Sequence, residues 1–239
     1  MVRKGVHMSA PSKMPCFSFD LSVILSGCAQ RCLYGIQRIC YVLTNFHEME
    51  WNKARQKVLK RNHELLKSER FTPVMINELL EDGNRWFRFF SAGDFPNIDA
   101  IHKIMNVCKA IDIDNKKFWI PTSRDDLLIK YLQTGNKIPD NVCIRYSSPS
   151  IGKADLPQLA YVIELFKKNG VCYSETSMNR KEVTCPASLM KHGECRKCRK
   201  CWDRANKTIV YFIHNNTSIK RAKEYFKRLI GTGNGATVR

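Results

Sequence analysis

No run in the chain approaches the apolar length that a membrane-crossing helix needs, so a helical membrane protein is not expected. The first fifteen residues, MVRKGVHMSAPSKMP, lead into no long apolar segment, and nothing there reads as a secretory signal. Acidic residues are scarce: 22 Asp and Glu against 40 Lys and Arg leave a formal charge of +18. A surplus of that size attracts polyanions at long range, or else it forms a solvated basic surface. No helix-turn-helix, zinc-finger or Walker pattern accompanies it. No histidine stands beside the serines in sequence, which leaves a Ser–His hydrolase without positive support.

Cysteine is what the chain has in excess. Eleven cysteines in 239 residues cannot all pair as disulfides, because the number is odd. The CRKCRKC stretch suits thiolates converging on one metal, and a reducing cytoplasm suits free thiols. At 44% hydrophobic and 26% charged, the composition is that of an ordinary folded core. The expected organisation is a flexible basic N-terminus (1–15), an α/β core (16–178), a cysteine-rich metal-binding insertion (179–207), a last strand and helix (208–231) and a flexible tail (232–239).

Apolar runs and helical periods alternate along the core. Residues 20–25 read as a first strand, closed by Ser26-Gly27. A basic amphipathic helix is expected over 51–67, with Trp51, Ala54, Val58, Leu65 and Leu66 on its apolar face. Another follows over 73–80, capped by Thr72. Strands are then expected at 86–90, 117–120, 142–146, 171–174 and 208–213, with helices at 98–111, 125–132, 159–168 and 218–230. The alternation predicts an α/β fold: a partial or irregular (β/α) barrel-like parallel sheet with a cysteine-rich insertion. An open doubly wound sheet is the alternative.

Two cysteine constellations carry the chemistry. Cys195, Cys198 and Cys201 are spaced C-x2-C-x2-C, and Cys185 supplies a fourth thiol. Four thiolates satisfy a [4Fe–4S] cluster or a tetrahedral zinc, and the run of three favours iron–sulfur. Arg196, Lys197, Arg199, Lys200 and Arg204 would offset cluster charge or face a nucleic acid. The second constellation is Cys28, Cys32 and Cys40, just after the first expected strand. Three protein ligands there would leave one iron open. Ligands from both constellations in a single centre remain an alternative.

Other candidates sit at expected strand ends. Asp94, after Ser91-Ala92-Gly93, either binds a ligand hydroxyl or ammonium group or closes a turn. Arg124 either clamps an anion or pairs with Asp125 or Asp126. Arg145 lies within an apolar strand and calls for an anion: Asp94, Glu175, a carboxylate or a phosphate. His214 ends the last expected strand as a ligand, a base or a structural residue. Ser147, Ser148 and Thr176 offer hydroxyls at the same edge, with Ser91.

A cysteine loop after the first strand of a partial barrel resembles radical S-adenosylmethionine enzymes, which carry C-x3-C-x2-C there. Cys28 and Cys32 match the first two positions and Tyr34 the aromatic before the third. Gly35 occupies the third position, and the third thiol is displaced to Cys40. A fuller resemblance runs through CLYGIQRICYV, RFFSAGDF, FWIPTSR, IRYSSPS, TCPAS, CRKCRKCW and VYFIH. In their order these segments resemble the bacteriophage gene product 88 family. That resemblance implies a viral origin and a cysteine-bound centre. The expectation is an iron–sulfur protein in the cytoplasm of the infected host cell. It is either a redox or radical enzyme acting on a nucleotide or nucleic acid, with S-adenosylmethionine one cofactor, or a non-enzymatic binder of DNA, RNA or a host protein with a structural iron–sulfur or zinc centre.

Overall fold

Seven strands line up in the order in which they follow along the chain. They belong to a computed structural model describing residues 5–11, 13–32, 40, 42, 53–112, 115–148, 160–190, 193–195 and 197–213. Strand β1 (Met8–Ser9) pairs antiparallel with β2 (Phe17–Phe19). From β2 onward each strand is parallel to the next: β3 (Trp86–Phe89), β4 (Lys117–Thr122), β5 (Val142–Ser147), β6 (Cys172–Ser177) and β7 (Thr208–Phe212).

Parallel neighbours need crossovers, and the described helices lie in them. These are α1 (Cys28–Arg31), α2 (Lys53–Lys67), α3 (Phe71–Glu81), α4 (Ile98–Lys109), α5 (Asp125–Gln133), α6 (Ala160–Lys168) and α7 (Pro186–Leu189). Right-handed crossovers between successive neighbours keep returning to one face. Helices α2 to α6 accordingly share a single apolar cluster with Phe19, Phe87, Phe89, Phe118, Ile120, Val142 and Ile144 of the sheet. The sheet is open, and its order does not reverse among the described strands, so the switch point of a doubly wound sheet is missing. An open sheet in this order is consistent with a partial barrel, the first of the two expected arrangements.

Strand residues alternate between faces. Trp86, Arg88, Trp119, Cys143 and Arg145 therefore lie opposite the helices. The cysteine-rich segment covers this second face, where Cys16, Trp119, Cys201, Trp202 and Ile209 form a second apolar cluster.

Several local expectations are corrected. The first parallel strand is residues 17–19; residues 20–22 leave the sheet and residues 23–26 form a turn. The Ser22 hydroxyl accepts from the Ile24 and Leu25 amides, 3.2 Å each, and holds that turn. Residues 8–9, expected within a flexible terminus, are an edge strand, and Val6 is buried. Helix α3 starts at Phe71, so Thr72 is not its cap. Pro73 still falls in the first turn, where a missing N–H leaves no bond unmade. The buried stripe of α2 is Leu59, Asn62, His63 and Leu66, while Ala54 is exposed. Strands β4 and β6 each run beyond the expected end, to Thr122 and Ser177. Trp51, Tyr34, Gly35, His214 and the expected helix over 218–230 lie outside the described residues.

Candidate metal centre

The end of β3 sets up the rim. Phe90 is buried with φ of 60°, a left-handed conformation that costs a bulky residue about 1–3 kcal/mol. It turns the chain so that Ser91 to Asp94 run past the end of β2. The Leu21 amide donates to the Ala92 carbonyl at 3.1 Å. Gly93 has φ of 84°, and a Cβ there would lie 2.7 Å from the Leu21 carbonyl oxygen. Only glycine meets both conditions without strain.

Two buried carboxylates organise this rim. Asp20 accepts from the Ser91 amide (2.8 Å) and hydroxyl (2.6 Å) on one oxygen, and from Arg55 (3.0 Å) and the Ser18 hydroxyl (3.2 Å) on the other. Asp94 accepts from the Thr122 hydroxyl (2.6 Å), the Ser123 amide (2.7 Å) and the Phe95 amide (2.8 Å). Burial pushes the Asp94 carboxyl up to about 6, against the pull of those three bonds. Arg124 forms a fork–fork pair with Asp126, 2.8 Å on each arm, and its remaining nitrogen donates to the Phe95 carbonyl at 2.8 Å. Ser91, Asp94 and Arg124 therefore already hold structural partners. The Arg124–Asp126 pairing is one of the expected readings, and Asp94 ties its loop to the end of β4 through Thr122 and Ser123.

Cys28, Cys32 and Cys40 gather beside them. Burial holds the Cys28 thiol well above its usual range. Asp94, Cys32 and Cys40 push the same way, while Arg124 opposes. Cys28 and Cys40 pack against a small cluster of Val23, Val42 and Ala92.

The downstream cysteines form a separate set on the face opposite the helices. The Cys195 amide donates to the Lys13 carbonyl (2.8 Å) and the Cys198 amide to the Cys195 carbonyl (2.7 Å), closing a tight loop. The Cys185 amide donates to the Val210 carbonyl of β7 at 3.1 Å. Cys201 is buried, and its sulfur lies 3.1 Å from the Tyr211 hydroxyl. Burial raises the Cys195 thiol, helped by Cys185 and Cys198. Burial also pushes Cys201 up to about 12, with Cys185 and Cys195 adding to it. Cys28 and Cys40 pack on the cluster of Val23, Val42 and Ala92, whereas Cys185 and Cys201 belong to the cluster with Trp119 and Trp202. Among the described residues no three His, Cys, Asp or Glu side chains are arranged to hold a metal ion.

Arg145 corrects another expectation. It is fully buried, yet among the described residues no carboxylate pairs with it. Its five N–H groups reach five backbone carbonyls: Cys201 (3.0 Å), Lys200 (2.7 Å), Asp203 (2.9 Å), Asn206 (2.8 Å) and Tyr173 (3.4 Å). Carbonyl dipoles take the place of an anion, and the residue fastens the cysteine-rich segment to the sheet. Arg204 reaches the other way, donating to the Val142 carbonyl at 2.7 Å and to the Pro139 carbonyl. Trp202 completes the attachment. Its indole N–H donates to the Phe87 carbonyl at 2.7 Å, and its ring meets Trp119 and Trp86 edge-on at 5.3 and 5.7 Å.

Ser147 and Ser148 end and follow β5, and the Ser148 amide donates to the Ser174 carbonyl at 2.9 Å. Thr176 lies in β6 opposite Tyr211. Sequence reasoning missed Asp20, which looked like the first residue of a strand; a lone carboxylate within an apolar run was the available sign. A further buried thiol went unremarked: Cys172 of β6 donates to the Gly170 carbonyl at 3.7 Å and the Arg204 carbonyl at 3.6 Å, with Cys143 buried on the neighbouring strand.

The model of the family described as gene product 88 matches residues 3–204. The chain belongs to the gene product 88 family. No curated protein and no solved structure matches it. This gene product 88 chain is therefore a member of a bacteriophage family, and the likeness to radical S-adenosylmethionine enzymes has no support from these comparisons. The matched span takes in both cysteine constellations, Arg145 and Trp202. No described helix of the protein is long and apolar enough to cross a membrane.

Proposed function

We propose that the chain is an iron–sulfur protein with two thiolate centres, one at the rim (Cys28, Cys32, Cys40) and one on the covered face (Cys185, Cys195, Cys198, Cys201). The observation that supports it is the packing of the thiols in two places, Cys28 and Cys40 against Val23, Val42 and Ala92, and Cys185 and Cys201 in the cluster with Trp119 and Trp202. Their donor chemistry fits. Thiolates are the ligands of such clusters, and Arg88 and Arg199 stand close enough to Cys195 to favour its thiolate. In the cluster with Cys201, the Trp119 indole N–H is buried and lacks a hydrogen-bond partner. Metal-bound sulfur is an acceptor such a donor can use.

A bound cluster would supply one-electron transfer. The chain's own residues would bind it, exclude water through Trp86, Trp119 and Trp202, and hold the rim loop against Asp94 and Arg124. Three protein thiols at the rim would leave one iron accessible to a substrate or cofactor. That is the feature favouring an enzyme over a structural centre, and S-adenosylmethionine or a nucleotide is the ligand to try first. The reducing cytoplasm of an infected cell suits this chemistry.

Anaerobic purification with iron, sulfide and zinc quantified per chain tests the proposal. Iron and sulfide in equal amounts, removed in part by serine at Cys28, Cys32 and Cys40, is the expected result. Stoichiometric zinc without sulfide would replace clusters by structural zinc. A folded chain holding neither metal would end both readings.

A second reading rests on a cleft of about 570 Å³ where Trp86, Trp202 and four cations, Lys117, Arg199, Lys200 and Arg204, outnumber two carboxylates, Asp140 and Asp203, with Asn206 completing the lining. Aromatic rings beside cations suit a nucleobase and its phosphate. Binding to a single-stranded oligonucleotide that weakens with salt and with Trp86→Ala supports this reading. Absence of binding at low salt removes it.

A further inference from the structure

We infer that Cys16, from the turn leading into β2, supplies a ligand to the downstream thiolate centre. This rests on the metal-thiolate reading above and adds a residue that the cysteine spacing gave no reason to include.

Four observations converge. Cys16 is buried at 6% exposure in the same apolar cluster as Cys201, against which Cys185 packs. The chain three residues before it is bonded to the cysteine loop, since the Lys13 carbonyl accepts from the Cys195 amide at 2.8 Å. Cys195 lies near enough to Cys16 to raise its thiol, and Arg88 and Arg199, which act on Cys195, also act on Cys16. The unpartnered, 5% exposed Trp119 indole N–H belongs to this cluster and not to the rim set.

Burial disfavours an isolated thiolate at Cys16, and a metal cation is what would stabilise one. With Cys16 included, five thiols serve at most four terminal positions. The two buried ones, Cys16 and Cys201, take two of them. Cys185, Cys195 and Cys198, all half-buried, compete for the others.

Cobalt(II) titration of the metal-free full chain tests this, with Cys28, Cys32 and Cys40 replaced by serine so that only the downstream set reports. The sulfur-to-cobalt charge-transfer absorbance scales with the number of thiolates bound. In a parent that also carries Cys198→Ser, so that four thiols remain and none is spare, Cys16→Ser is expected to lower it by about a quarter, as four thiolates become three. Cys143→Ser, another buried cysteine outside the set, is expected to leave it unchanged. An unchanged band in Cys16→Ser, alongside a loss in Cys201→Ser, overturns the inference and leaves the metal-thiolate reading standing. No cobalt–sulfur band in the parent chain removes both. If Cys16→Ser does not fold, NMR of the cadmium-loaded wild-type chain decides instead. Scalar coupling from cadmium to the Cys16 β-protons supports the assignment, and coupling to downstream cysteines alone overturns it.

Discussion

Replacing Arg145 by methionine removes the attachment of the cysteine-rich segment while keeping an unbranched apolar stem. The structure sets the magnitude. Four of the five hydrogen bonds are 3.0 Å or shorter, and all come from one cation with no exposed surface. A hydrogen bond from a charged group contributes about 1.5–3 kcal/mol net, and a buried carbonyl left unpaired costs a similar amount. These contributions do not add fully, because part of the freed segment regains water. The expected loss is about 4 kcal/mol, the upper range for one substitution. Urea unfolding at neutral pH measures it, and hydrogen exchange locates it. Protection should fall over residues 199–206 and β6, and stay in α4 and α5. Arg145→Lys keeps the charge but has three donors on one nitrogen, so it should recover less than half of the loss. A change below about 1 kcal/mol, with unaltered exchange over 199–206, would refute the idea that this guanidinium holds the segment.

Burial raises Asp94 to about 6 from 3.8, so the folded state keeps this proton longer than the unfolded chain does. Its contribution is full below pH 3.8 and declines by at most about 3 kcal/mol as pH rises to about 6. The stability of wild type minus that of Asp94→Asn should fall across that window, and a flat difference in urea midpoints counts against it. Gly93→Ala forces a Cβ against the Leu21 carbonyl at positive φ and should cost about 3 kcal/mol. Gly83→Ala, also at positive φ but with open space around it, should cost only about 1 kcal/mol; equal melting temperatures for the two variants would contradict the crowding argument. Trp202→Phe loses the bond to the Phe87 carbonyl and should cost about 1–3 kcal/mol, read by urea unfolding. An unchanged midpoint would mean that the indole N–H contributes nothing there.

The crossovers were legible because their helices carry a 3.6-residue apolar period beside short apolar strands. Helices α4 and α5 and strand β5 start where expected. The first strand was misplaced for a physical reason. Residues 21–25 are apolar but for Ser22, and Leu21 and Val23 bury their side chains without joining the sheet while Ile24 and Leu25 are exposed. Strand β1, at two residues, is too short for any period to show. Arg145 was recognised as a buried cation, but its partner was not, since backbone carbonyls carry no residue signature. Two thiol groups were legible from spacing. The place of Cys16 beside Cys195 was not, because only the sheet brings those distant residues together.

The consecutive strand order has a consequence for synthesis. A ribosome delivers β2 to β6 and helices α2 to α6 first, which is enough to assemble the cluster on their shared face. Arg145 emerges with β5, well before the carbonyls at 200, 201, 203 and 206 that it binds. Until they arrive, an unmatched guanidinium and the indoles of Trp86 and Trp119 stand on a bare surface. A nascent chain stalled before residue 200 would therefore be half-built in a defined way, closed on one side and sticky on the other. That is the state in which a chaperone would be needed most.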